Sequence, residues 1–232
     1  MFTFFIGIVP RHWLAALALA LAAGPLPLIA QTGPAPAAGI LLIADAALTG
    51  SNFSRTVVLV TRTPSGETIG VILNRRITPD AGGPALPESA KVRDLYFGGP
   101  LAPRGLLAVG VVRADAVPPT GALEVLPAVH LVVGAANVRN FIEASEAGRI
   151  RVFAGYSGWA PGQLENEIAR GAWRVVPAEE AQLFDQAPES LWERLSARLR
   201  AVLGPLDEDC RSGIATQNSQ RFFGAHVVHP VD

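Results

Sequence analysis

The sequence predicts an α+β fold in one domain, on three observations. Half of the 232 residues are hydrophobic, enough for one good-sized core or at most two domains. Segments rich in β-branched residues outnumber helical ones. Those segments also arrive in runs, which argues against a doubly wound parallel sheet, where strands and helices alternate.

Gly39 to Ala44 opens the folded part as a short, wholly apolar strand. Thr56 to Thr61 and Thr68 to Leu73 are strands joined by Thr63-Pro64-Ser65-Gly66-Glu67, whose turn chemistry predicts a hairpin. Residues 78 to 90 carry Pro79, Gly82, Gly83, Pro84 and Pro87 and read as a surface loop or flap. Leu106 to Val112, Leu123 to Leu126 and Val129 to Val133 are further strands. Ala135 to Ala147 reads as a helix with Val138, Phe141, Ile142 and Ser145 on one face and Gly148 as its stop. Arg149 to Tyr156 and Ala172 to Val176 are strands. Pro177 to Phe184 and Pro188 to Leu203 are helices, the second ended by Gly204-Pro205.

The richest stretch is Gly155-Tyr156-Ser157-Gly158-Trp159-Ala160-Pro161-Gly162-Gln163-Leu164-Glu165-Asn166-Glu167-Ile168, closed by Gly171-Ala172-Trp173. It reads as a strand turning into a short helix, with Leu164 and Ile168 on one face. Helical spacing puts Gln163 and Glu167 on a shared side. Glu165 and Glu167 lie about 200° apart around such a helix, which works against their serving one substrate as an acid/base pair. A partner carboxylate would have to come from elsewhere, Asp45 or Asp94 for example. Ser157 lacks the Gly-x-Ser-x-Gly spacing of a nucleophile elbow, because Trp159 stands at the final glycine position. His130, inside an apolar strand, reads as a hydrogen-bonded strand histidine rather than a catalytic one. No phosphate-binding loop, dinucleotide fingerprint or metal-protease motif is present, so no cofactor is expected.

Nineteen basic residues stand against twenty acidic ones, and from Gly39 to Gly204 the count is sixteen of each. That balance supplies no broad positive field and argues against nucleic acid as a partner. Only Lys91 among the basic residues is a lysine, a bias in keeping with genome composition. At the amino terminus, Arg11 and His12 precede the apolar run Trp13 to Ala23, a Gly24-Pro25 break and small residues, with no further formal charge until Asp45. This is the pattern of a secretory signal over residues 1–30, with cleavage after Ala30 or Ala38. The alternatives are an uncleaved membrane anchor or a mis-called start. Residues 31–38 form a Pro/Ala/Gly linker, 39–204 the domain, and 205–232 a polar tail. The tail holds the single Cys210 with His226 and His229, too few ligands for a tight metal site. The expected location is therefore periplasmic or secreted, and cytoplasmic if the leader is a mis-called start.

Four blocks in order resemble the YqgE/AlgH family: Leu41 to Asp45 with Phe53 to Val57; Gly70 to Arg75; Phe97 to Leu101 with Arg104-Gly105; and the Gly155 to Trp173 stretch, followed by Leu183 to Asp185 and Leu191-Trp192. Arg76 stands where the family pattern has proline. The resemblance covers roughly Gly39 to Gly204 and implies a mixed, barrel-like sheet with flanking helices. It implies little chemistry, since the family's biochemical activity is not established. Some members are described as transcriptional regulators, on genetic rather than mechanistic grounds.

Asn74, Gly98, Gly99, Trp159, Gly162, Gln163 and Glu165 are polar or glycine positions abutting strand ends. One reading makes them a ligand pocket, in which the amides of Gly98-Gly99 and of the helix start near Gly162 receive an anion or carboxylate. The other makes the glycines tight turns, Asn74 a strand cap, Glu165 an arginine's partner and the tryptophans core anchors. The expected function is a non-enzymatic binding or regulatory module for a small ligand or envelope protein. The alternatives are a hydrolase with a carboxylate near Glu165 or a cytoplasmic regulator.

Overall fold

A computed structural model describes residues 39–203 except Gly50 and residues 79–82. The leader, the linker, the tail with Cys210, His226 and His229, and part of the 78–90 loop lie outside the described residues.

Strands β1 (Ile40–Ala44) and β2 (Val57–Arg62) are buried along almost their whole length. Their uninterrupted apolar sequences reflect cover on both faces, which removes the need for alternation. β3 (Thr68–Ile72) completes the expected hairpin with β2, closed by Gly66 N–H donating to Thr63 O at 2.9 Å. The two-residue β4 (Arg76–Ile77) pairs antiparallel with β5 (Leu95–Phe97). Next come β6 (Leu101–Val112), β7 (Leu123–Leu126), β8 (Val129–Val133), helix α1 (Ala135–Ala144) and the fifteen-residue β9 (Ser145–Trp159). Helix α2 (Gln163–Ala169), β10 (Trp173–Pro177), α3 (Glu180–Leu183) and α4 (Leu191–Leu203) follow.

The fold is α+β, dominated by one mixed sheet. Its main path runs β10-β1-β2-β3-β9-β6-β8-β7. Every pairing is antiparallel except β5 with β9. The sheet is open, with β10 and β7 as its end strands, so a barrel describes it only loosely. It curls far enough for Gly39 N–H, just before β1, to donate to Val125 O in β7.

Two apolar layers sit on opposite faces, and the period of two along the strands sorts residues between them. Leu107, Val109 and Phe153 join β1, β2, α2 and α4 in the larger layer. Leu106, Ala108, Ile150 and Val152 pack under Val138, Phe141 and Ile142 of α1. Each fully buried Leu, Ile or Phe contributes about 1.5–3 kcal/mol relative to exposure.

Helix α1 ends three residues before the predicted end at Ala147. Ser145 is already extended and pairs with Val112, while its Oγ donates to Phe141 O at 2.7 Å. Side chains from distant sequence cap the helix end. The Lys91 ammonium donates to Ile142, Glu143 and Ser145 carbonyls, and Arg113 donates to Glu143 O. Cations there satisfy carbonyls left open by the last turn and complement the helix dipole. The one lysine of the chain thus has a specific structural position.

Candidate functional site

The residues singled out from the sequence fall in three places. The first is the end of β3. Asn74 is buried, its Oδ1 accepting from Val57 N–H at 2.9 Å and its Nδ2 donating to Arg55 O at 3.0 Å. Both ends of the amide fasten β3 to the start of β2, where Arg55 takes a left-handed φ of 54°.

The second is a backbone crossing. Gly98 N–H donates to Ala154 O at 2.8 Å, and its carbonyl accepts from Ile72 N–H and the Ser157 hydroxyl. A Cβ at Gly98 would stand 2.2 Å from Gly155 O, and one at Gly99 would stand 2.4 Å from the Tyr156 carbonyl. Gly155 itself has φ 70° and lies against the carbonyls of Gly99 and Leu101. Three glycines therefore allow two backbone segments to approach more closely than any side chain permits.

The third place is the α2 end of the sheet. Gly162, at φ 76°, precedes α2, and Gln163 lies across from Glu167 as helical spacing requires. Glu167 is the hub. Its Oε2 accepts from Trp159 Nε1 at 3.0 Å and Trp173 Nε1 at 2.9 Å, and its Oε1 accepts from Gln163 Nε2 at 3.0 Å. Gln163 Oε1 in turn accepts from Ala160 N–H. Phe53 stacks on Trp159 and meets Trp173 edge-on, with centroids 6.3 and 5.6 Å apart. Glu165 points elsewhere and pairs with Arg62 at 3.0 Å. Arg62, which pairs with Glu165, closes β2, and Val57, which donates to Asn74, opens it, so the two partners lie five residues apart along the strand, about 17 Å between backbones.

The other carboxylates and the serine are also engaged. Asp45 pairs with Arg174 and Asp94 with Arg76. Ser157 is buried with its hydroxyl on Gly98 O. His130 is half-buried, its Nδ1 3.3 Å from Ala128 O. Among the described residues no group of three or more His, Cys, Asp or Glu is arranged to hold a metal ion.

Sequence reasoning missed a second polar region, beside β5 and the first half of β9. A cleft of about 480 Å³ opens there, lined by Arg76, Arg93, Tyr96, Arg151 and Asp185 among others. Arg151 is 7% exposed and donates to Leu73 O at 3.3 Å and to Asp185 O. Its guanidinium carbon lies 4.8 Å from the Tyr96 ring centroid, and that of Arg76 lies 5.8 Å from the same centroid. Burial pushes the Arg151 guanidinium pKa down from its ordinary value, against the opposing pull of Tyr96 and Asp185. Arg76 also borders a neighbouring opening of about 720 Å³, shared with Asn52, Asn74, Arg75 and Phe97. The signal for Arg151 was present in the strand pattern. It alternates with Ile150 and Val152, which face α1, so it shares the opposite face with Phe153.

Comparison with known proteins accords with this geometry. The AlgH-like family model (DUF179) matches residues 41–203. A UPF0301 protein of Streptomyces coelicolor is 38% identical over 171 residues, covering 71% of this chain and 88% of that protein. One from Mycobacteroides abscessus is 35% identical over 169 residues, with 69% and 79% covered. Among solved structures, a Corynebacterium diphtheriae protein superposes with a TM-score of 0.58 at 26% identity, covering 78% of this chain and 93% of that one. The AlgH protein of Pseudomonas aeruginosa gives 0.51 at 26% identity, covering 77% and 98%.

Proposed function

Because the chain belongs to the AlgH-like family, whose members carry no established chemistry, we propose that it is a non-enzymatic binding or regulatory module. What supports the reading is the contrast between engaged and open polar groups. Glu167 accepts three hydrogen bonds and Glu165 is ion-paired, so neither presents a lone carboxylate for general-base work. The cleft beside β5 and β9 is concave, of small-molecule size and bordered by arginines and Tyr96. Ligand binding is therefore assigned to the Arg76 side of the molecule, which Asn74 borders, rather than to α2. The working location is the cell envelope, on the strength of the leader pattern in residues 1–30.

A thermal-shift screen of the full chain against a metabolite library tests this reading. The expected result is a ligand that stabilises the wild type and leaves Arg76→Ala unmoved. Chemical turnover of such a ligand, abolished by Glu165→Gln without unfolding, would replace binding by hydrolysis. Fractionation of cells with sequencing of the mature amino terminus tests the location. A processed terminus near Gln31 or Gly39 in the periplasm is expected, and an intact cytoplasmic protein would return the module to a cytoplasmic role.

A further inference from the structure

The cleft beside β5 and β9 has a charge arrangement that specifies its ligand more closely. A guanidinium has five N–H donors, and two of the Arg151 donors reach carbonyl oxygens, those of Leu73 and Asp185. A buried cation is ordinarily accompanied by a carboxylate. Here the acidic side chains of the wall bond other partners, and Asp185 acts on Arg151 only through space. The Asp185 carboxylate accepts from Arg194 and from Ala187 N–H, and Asp94 lies 3.5 Å from Arg76. Arg76 also pairs with Glu189, at 3.2 Å, on its exposed side. Lys91 in the same wall is held by the end of α1. Arg93 adds a further positive charge to the lining. Tyr96, itself 4% exposed, offers its ring to both Arg151 and Arg76 and holds those two side chains against one surface.

We propose that this cleft binds the oxyanion end of a phosphate- or carboxylate-bearing small molecule, with Arg151 and Arg76 as its cationic contacts. An arriving oxyanion gives Arg151 a directly hydrogen-bonded charged partner, where Asp185 and Glu189 act on it only through space. The planar fork of a guanidinium suits two oxygens of either group, and such charge-assisted bonds are the strong ones in a partly desolvated site. Arg76 is the adjustable contact. Its surface carboxylate partners are exposed by 40% and 58%, so exchanging one of them for a ligand oxyanion sacrifices only a solvent-screened pair.

The proposal rests on the reading of this side as a binding surface, and its test separates the two. The full chain is titrated with sodium phosphate and, separately, sodium acetate at constant ionic strength with chloride as reference. Arginine Nε–H resonances and the Tyr96 ring are followed by NMR. Saturable shifts at Arg151, weakened about tenfold or more in an Arg76→Ala protein that remains folded, are the expected result. Tighter phosphate binding assigns a phosphate ligand, and tighter acetate binding assigns a carboxylate. Arg151→Lys keeps the charge but removes the fork, and it too weakens binding if it folds. Lack of saturation by both anions, or equal binding by wild type and Arg76→Ala, overturns the proposal. If uncharged or cationic metabolites then still stabilise the wild type but not Arg76→Ala, only the ligand class falls and the binding module stands.

Discussion

The α2 end and the Arg151 cleft are both polar and both aromatic, yet their hydrogen bonds are organised in opposite ways. At the α2 end the donors and acceptors consume one another: two indoles and an amide converge on Glu167, and Glu165 takes Arg62. In the cleft, Arg151 hydrogen-bonds carbonyl oxygens and meets a ring face, and it borders open space. The lesson is that a cluster of polar residues in a sequence shows where hydrogen bonds are made, without showing whether they are made inward or toward a ligand. A closed network fixes structure, whereas a network with donors left over can receive a partner.

The largest predicted effect lies at the crossing between the two regions. Gly98→Ala drives a methyl group into Gly155 O, and neither backbone can yield. A loss above about 3 kcal/mol, or failure to fold, is expected in denaturant titration. Near-wild-type stability would mean that the two segments are not in fact held together there. Glu167→Ala comes next. It strands two indole N–H groups and should cost about 2–3 kcal/mol, with a change in tryptophan fluorescence and no change in anion binding. Lost anion binding with an intact fold would erase the distinction between the two ends.

Arg76→Ala reverses that profile, with a stability change within about 1 kcal/mol and most of the ligand response gone. Glu165→Gln should cost about 0.5 kcal/mol, because its arginine pair is a third exposed on each side. The smallest effect is a pH dependence at neither region. The Arg55 hydrogen bond holds the Glu193 carboxyl below its usual pKa. Its contribution is therefore full above the ordinary glutamate pKa and fades as pH falls through the depressed folded value. Arg55→Ala should flatten the acid limb of the stability curve slightly, and an unchanged limb would show the pair to be inert.

Much of the fold was legible because its signals are local. The hairpin over 57–72 was announced by β-branched runs around a turn, and α2 by the spacing of Leu164 and Ile168. Strands β4 and β5 carry almost no pattern of their own, at two and three residues, and exist because β9 offers β5 a ladder. The end of α1 was misplaced because its caps, Lys91 and Arg113, are remote in sequence. Gly98-Gly99 and Gly155 were visible in two separate stretches, and only the crossing reveals that they face each other. Glu167 was paired with Gln163 from the helical period alone, whereas its two indole donors needed three-dimensional placement. Arg151 looked like an ordinary strand residue until both walls of the cleft were in place.

Strand β9 hydrogen-bonds to β3 and β6 on antiparallel registers and to β5 on a parallel one. Its partners all precede it in the chain, with Gly70 meeting Ser157 across about half of the domain's length. A ribosome-bound chain that stops short of residue 145 has made β3, β5 and β6 but not the strand that joins them. Three ladder edges then wait unpaired, and long-range pairing of this kind is slow to form. Only once β9 is made can those edges be joined. Nascent chains stalled just before β9 therefore expose those edges.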